Sequence, residues 1–234
     1  MSNNDLLKGK WALVTGSSRG IGRYIAKGLA EHSCNVIVHG RTLENTDSTL
    51  EMLSDYDVKA IAVAGELGNQ QAEAALVAEV KKEVGVLDVL YNNAAVGSVY
   101  NEDLFSVTST EWHRVFEVNL FSMVRICAAF IPGMMKQGWG RVINLTSGIA
   151  DQPQLSPYAV SKGAVDRYSA DLKTYLDGSG VIVSTLDPGW LKTDMGGENA
   201  EHEVDAVLPG ALVPALLEDG SENGQFFRAQ DYRK

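Results

Sequence analysis

From Trp11 to Arg228 the chain alternates short apolar, β-rich runs with longer stretches of helical periodicity, and that rhythm admits few architectures. A strand buried on both faces reads as an unbroken apolar run, and parallel strands need crossovers long enough to hold a helix. The runs that qualify are Trp11–Thr15, Asn35–His39, Lys59–Val63, Leu87–Tyr91, Arg141–Thr146, Val181–Leu186 and Gln225–Arg228. Helices are predicted over Gly20–Glu31, Leu43–Ser54, Asn69–Glu83, Thr110–Lys136, Ser156–Leu176 and Glu201–Leu217. Repeated βαβ units of this kind imply an α/β fold with a doubly wound parallel sheet of seven strands and helices on both faces. No Pro-rich or Ser-rich linker divides the 234 residues, so one domain over 1–234 is expected.

Charge and cysteine usage narrow the partners. Twenty basic against thirty acidic residues give a formal charge of −10, which repels nucleic acid and anionic membranes alike. The start of the chain is polar and no run approaches the ~20 apolar residues of a membrane span, so a cytoplasmic protein is expected. Cys34 and Cys127 lie in different elements, the four histidines are scattered, and no metal spacing appears. The predicted helix around Phe116–Met135 carries only Glu117 and Arg125 as charges between Phe116 and Ile131. An element this apolar is covered on both sides, by the sheet and by either a subunit contact or a lid of neighbouring helices; the subunit contact is the expectation, and with it a homodimer or homotetramer.

Thr15-Gly16-Ser17-Ser18-Arg19-Gly20-Ile21-Gly22 directly follows the first strand and opens the first helix. Residues without Cβ let a backbone approach a pyrophosphate, and the helix start presents free N–H groups and the positive end of its dipole. The second strand ends in Val38-His39-Gly40-Arg41-Thr42, where dinucleotide-binding chains commonly place a carboxylate for the ribose hydroxyl. With no carboxylate there, Arg41 and Arg19 are suited to clamp a 2′-phosphate, so NADP is expected over NAD. Glu66, just beyond the third strand with Leu67 beside it, is placed to accept from the adenine amino group.

Tyr158 and Lys162 stand four apart on a helix expected to open with Ser156 as N-cap and Pro157 as first residue. A phenol of pKa ~10 is a poor acid–base group at neutral pH; a nearby ammonium and the positive helix end both favour the phenolate. Ser147 ends the fifth strand, on the side where open α/β sheets bind ligands, and its hydroxyl is suited to hold a substrate oxygen beside Tyr158.

The glycine turn, Asn92-Asn93-Ala94-Ala95 after the fourth strand, Asn119 in the long helix, Ser147, the Tyr158–Lys162 run and Pro188-Gly189 after the sixth strand together resemble the short-chain dehydrogenase/reductase family over nearly the whole chain. The resemblance implies a Rossmann-type fold and a catalytic tetrad of Asn119, Ser147, Tyr158 and Lys162. In it Tyr158 exchanges the proton, Ser147 orients the substrate oxygen, Lys162 holds the nicotinamide ribose and depresses the tyrosine pKa, and Asn119 binds a relay water. Gly16, Ser18, Arg19, Gly20, Ile21 and Gly22 would hold the pyrophosphate side. Asn93, Ala94 and Ala95 would line the ribose path, and Pro188, Gly189, Leu191 and Thr193 would cover the nicotinamide amide.

Two departures stand out. Ala95 replaces the family's usual glycine, and the interval from Ser147 to Tyr158 is shorter than usual, so the loop through Asp151-Gln152-Pro153-Gln154 should be tight and bear on specificity. The segment Trp190–Asp205 is expected to form a mobile cover whose Glu198, Glu201, Glu203 and Asp205 disfavour strongly anionic substrates.

The leading reading is a carbonyl reductase or alcohol dehydrogenase for a small neutral or modestly polar substrate. A rival is a 3-oxoacyl-[acyl-carrier-protein] reductase. Acidic carrier docking wants basic residues where this chain has Gln137-Gly138-Trp139 and Gly178-Ser179-Gly180, although Lys136 and Arg141 stand nearby. A reading of another class is a non-catalytic NADP-sensing regulator, against which the complete Asn, Ser, Tyr and Lys set speaks.

Overall fold

The computed structural model describes residues 6–233. Strands β1 (Trp11–Val14), β2 (Asn35–Gly40), β3 (Ala60–Ala64), β4 (Val89–Asn92), β5 (Gly140–Leu145), β6 (Val181–Asp187) and β7 (Phe226–Arg228) form one sheet in the order β3-β2-β1-β4-β5-β6-β7. Every pairing is parallel, with β1 at the switch point between β2 and β4. All seven fall within two residues of the expected runs. Helices α1 (Gly20–Glu31), α2 (Asp47–Leu53), α3 (Gln70–Val84), α4 (Ser109–Phe116), α5 (Met123–Gln137) and α6 (Ser156–Tyr175) flank the sheet.

Side chains that alternate along a strand enter opposite layers. Ala12 and Val14 of β1, Val36 and Val38 of β2 and Tyr91 of β4 pack with Ile25 and Leu29 of α1 on one face. Leu13, Ile37 and Leu90 pack with Leu76 and Val80 of α3, Ile126 and Phe130 of α5 and Val165 of α6 on the other. Each fully buried Leu or Ile contributes about 1.5–3 kcal/mol, which fixes the register and hence which loops meet at the carboxyl ends of the strands.

The helix expected over Thr110–Lys136 is a rod from Ser109 to Gln137 interrupted by a π-helical turn, Glu117–Ser122. By length and mean hydropathy, 1.5 over an 18-residue window, it could cross a membrane, contrary to the expectation that no segment comes near such a span. Here Met123, Ile126, Cys127, Phe130, Ile131 and Met134 are buried in the core beneath the sheet. The element expected over Leu43–Ser54 begins as a 3-10 turn, Glu44–Thr46, and is α-helical only from Asp47.

The α-helix expected over Glu201–Leu217 is absent. Two 3-10 segments, Val204–Val207 and Gly210–Leu216, take its place. Pro209 and Pro214 withhold the N–H groups an α-helix needs, and a Cβ at Gly210 would stand 2.0 Å from the Ala229 carbonyl, so this strip lies flat against the end of β7. At the opposite end of the sheet from the glycine turn, Arg141 is fully buried. It donates to Asp219 at 2.8 Å and to the Leu217 carbonyl at 2.7 Å, and its guanidinium lies 4.4 Å from the Trp139 ring.

Candidate active site

The glycine turn leaves β1 with Gly16 at φ +64° and enters α1 with Gly20 at φ +58°, left-handed conformations that suit glycine. A Cβ at Gly16 would meet Ala94 at 3.0 Å, and one at Gly22 would stand 2.5 Å from Asn93 Nδ2 and 2.6 Å from the Gly16 carbonyl. Gly22 is therefore fixed by protein packing within the turn, and Gly16 by both packing and conformation. Arg19 occupies the N-cap of α1 without a side-chain capping bond, and no acidic residue lies in the first turn. The donors and the dipole end there remain unopposed, so the residues fit a dinucleotide pyrophosphate.

The loops after β1, β4, β5 and β6 converge on the catalytic candidates. Lys162 is buried on α6 and donates from Nζ to the Leu145 carbonyl at 2.8 Å; the same Nζ lies 5.8 Å from the centroid of the Tyr158 ring. Burial pulls its pKa down to about 8, against the upward pull of Asp166 one turn further on. Tyr158 departs from expectation. Burial pushes its phenol above the ordinary value of 10, opposed by the Ser147 hydroxyl and reinforced by the charge of Asp187, so in this protein desolvation outweighs the pull expected from the lysine. Ser147 accepts a hydrogen bond at Oγ from the Ile149 N–H at 3.2 Å. Helix α6 begins at Ser156 with Leu155 as its cap; Ser156, expected to cap, instead donates from Oγ to the Pro153 carbonyl at 2.6 Å.

Asn119 sits in the π-helical turn. Its Oδ1 accepts from Val96 N at 2.8 Å, while Nδ2 donates to the Val96 carbonyl and to Ser161 Oγ, both at 3.0 Å. Its side chain thus clamps the segment after β4 to α6. Asn93 does the same for the glycine turn, donating from Nδ2 to the carbonyls of Thr15 at 2.7 Å and Gly16 at 3.1 Å.

With this geometry in view, comparison with known proteins decides the family. Residues 10–204 match the family model described as short chain dehydrogenase. The chain belongs to the short-chain dehydrogenase family. It is 36% identical to the oxidoreductase YvrD of Bacillus subtilis over 185 residues, 78% of this chain and 69% of that one. It is 35% identical to the 3-oxoacyl-[acyl-carrier-protein] reductase FabG of Vibrio cholerae over 211 residues, 89% and 84% of the two chains. The gluconate 5-dehydrogenase of Burkholderia cenocepacia, solved with NADP and tartrate, superposes with a TM-score of 0.84 at 26% identity, over 97% of this chain and 96% of that one. The protein is accordingly an NAD(P)-dependent oxidoreductase acting on CH–OH groups.

In this short-chain dehydrogenase Pro188 and Gly189, the latter at φ +82°, carry the chain into a flap. Leu191 is buried and bridges to His202, and Thr193 lies 3.6 Å from the position a Cβ would take on Gly20, so the flap overlies the glycine turn. Its acidity is partly cancelled: Lys192 pairs with Glu203 at 2.5 Å and Arg19 with Asp194 at 3.0 Å. Arg19, assigned to a phosphate clamp with Arg41, therefore has a carboxylate partner here. Arg41, Ser18, Ile21, Glu66, Leu67 and Ala95 lie along the same end of the sheet, Arg41 and Glu66 exposed and Leu67 buried.

Sequence reasoning missed Asp187 and Arg228. Asp187 ends β6 on the α6 face, accepts from Gly189 N at 2.9 Å and pairs with Arg228 Nε of β7 at 3.4 Å. A Cβ on Gly148, next to Ser147, would fall 2.6 Å from Asp187 Oδ2 and 3.7 Å from Arg228 Nη2. The charge pair becomes visible only once β6 and β7 are aligned. The loop after Ser147 is tight, as expected: Asp151 is held at φ +55°, a conformation disfavoured for a residue with a Cβ.

Proposed function

We propose that this enzyme is a cytoplasmic, homo-oligomeric, NADP-dependent carbonyl reductase or alcohol dehydrogenase acting on a small neutral or modestly polar substrate. The observation that carries the reading is the meeting of Tyr158, Lys162 and Ser147 beyond the carboxyl end of β5, at the same end of the sheet as the glycine turn. Bound nicotinamide supplies or accepts the hydride. The chain supplies the rest. Tyr158, protonated at neutral pH, donates to the carbonyl oxygen during reduction and regains the proton from solvent; in oxidation it must first lose that proton. Ser147 donates a hydrogen bond to the same oxygen. Lys162 is placed to hold the ribose, and Asn119 keeps the segment after β4 against α6.

Preference for NADP is supported by the end of β2, where Arg41 is exposed and no carboxylate stands to repel a 2′-phosphate. The exposed Arg19–Asp194 pair has side chains 66% and 73% accessible. Such pairs contribute about 0–1 kcal/mol, so a phosphate can displace Asp194. Against the carrier-protein rival stands Arg141, one of its two candidate docking cations, which is fully buried. Val99 and Tyr100 after β4 and Trp190 and Met195 after β6 are exposed apolar side chains, with Met195 3.6 Å from the Cβ position of Gly97, which supports a substrate of modest polarity.

The test is NADPH oxidation with a panel of ketones and diketones. Tyr158→Phe should abolish turnover and retain cofactor binding; unchanged turnover refutes the mechanism. Equal affinities of the native protein for NADPH and NADH refute the cofactor preference.

A further inference from the structure

The end of β2 contributes more to the nucleotide cleft than the absence of a carboxylate. His39 is 3% exposed, and its ring joins two segments that approach from different strands. Nδ1 stands 2.9 Å from Gly16 N, a group that can only donate, so Nδ1 is the bare acceptor. Nε2 then carries the hydrogen and donates it to the Gly65 carbonyl, also at 2.9 Å. Further bonds repeat the linkage: Ser17 N donates to the His39 carbonyl at 3.0 Å, His39 N to the Ser17 side-chain Oγ at 2.9 Å, and Gly65 N to the Gly40 carbonyl at 3.1 Å. Thr49 of α2 donates to the Ser17 carbonyl at 2.9 Å. One imidazole thus spans the turn that would cradle a pyrophosphate and the segment that leads to Glu66 and Leu67.

The surroundings of the ring select its neutral form. The titratable groups on the flanking segments, Arg19, Arg41 and Glu66, and on the Glu44–Thr46 turn and α2, Glu44, Asp47 and Glu51, are all exposed, and Glu73 of α3 is paired with Arg125. What bears on the imidazole is burial, which lowers its pKa from the ordinary 6.5, and the Gly65 carbonyl, which raises it less. A second proton would turn Nδ1 into a donor facing another donor, and Gly16 N would lose its partner.

We infer that His39 is a positioning residue for dinucleotide binding: as the neutral Nε2–H imidazole it sets the glycine turn against the adenine side of the cleft, and its protonation loosens the cofactor. The inference rests on the proposed use of NADP, and its first test is independent of that cofactor.

In ¹⁵N-histidine NMR of the cofactor-free protein near neutral pH, His39 should give the neutral Nε2–H signature and protonate below the ordinary histidine value. An Nδ1–H tautomer, or a ring already charged at neutrality, overturns the inference. Fluorescence titration with NADPH then compares the native protein with His39→Gln. Native affinity should fall about tenfold on acidification, the equivalent of ~1.4 kcal/mol, along the His39 titration. His39→Gln should weaken binding by a similar factor near neutrality and flatten the pH dependence, with KM for NADPH rising more than kcat falls. Binding that is as strong and as pH-dependent in the variant overturns the inference alone. A native protein that binds no NADPH at any pH overturns it together with the cofactor reading.

Discussion

Lys162 shows how a buried ammonium strains its host. Its ammonium is buried and its pKa falls to about 8 from 10.5, so the unfolded chain holds this proton more tightly. The cost of burial is therefore present in full below pH 8 and is relieved as pH rises from 8 towards 10.5. A gap of that size corresponds to roughly 3 kcal/mol, less about 1 for the bond to Leu145 that its removal forfeits. Lys162→Met should raise stability in urea at neutral pH while turnover is lost, and the native rise in stability above pH 8 should vanish in the variant. Asp187 acts on the other partner. Its charge adds to the upward push on Tyr158, and Asp187→Asn keeps an oxygen for Gly189 N, so the rise of alcohol oxidation with pH should shift to lower pH. A rise at an unchanged pH would show that Asp187 only shapes the backbone. The proposed catalytic pair could be picked out in the sequence because Tyr158 and Lys162 stand four apart on one helix. The partners of His39, Asn93 and Asn119 were not, since each bonds to residues at least 22 positions away.

Among the elements, the strands were readable because burial on both faces leaves an unbroken apolar run. The strip from residue 201 to 217 misled because its apolar spacing persists where Pro209 and Pro214 have no N–H to give. Periodicity records which face is apolar, and backbone donor supply is a separate question. The π-helical turn was invisible for the same reason. That turn is tied down from outside: Glu73 of α3 accepts from Ser122 Oγ at 2.6 Å, from Arg125 Nε at 2.5 Å and from Gly68 N at 2.8 Å. Burial pushes the Glu73 carboxyl up, and Arg125, Ser122 and Gly68 together outweigh it and hold it below 4.5. Its contribution is present above that value and lost as pH falls through the folded pKa. Arg125 keeps Glu117 as a partner at 2.7 Å and is about a third exposed, so Glu73→Ala, which leaves Ser122 and Gly68 N without their acceptor, should cost about 1–3 kcal/mol in urea denaturation. A loss below about 1 kcal/mol would show that core packing holds the turn without Glu73.

At the scale of the whole molecule, α5 and α6 leave an apolar groove on the side away from the sheet, lined by Ile131, Pro132, Met135, Tyr168, Leu172 and Tyr175. Light scattering should find the native protein dimeric or tetrameric, and Leu172→Glu should shift it towards monomer with its circular dichroism intact. A native monomer would refute the expected assembly. The order of the sheet also governs how such an enzyme can diversify. Because β7 brings Arg228 against Asp187, and Asp187 fills the space any side chain at Gly148 would need, the position next to Ser147 is closed to variation. New substrate tastes must be written in the short loop that follows it and in the flap beyond Gly189, while the floor between them stays constant.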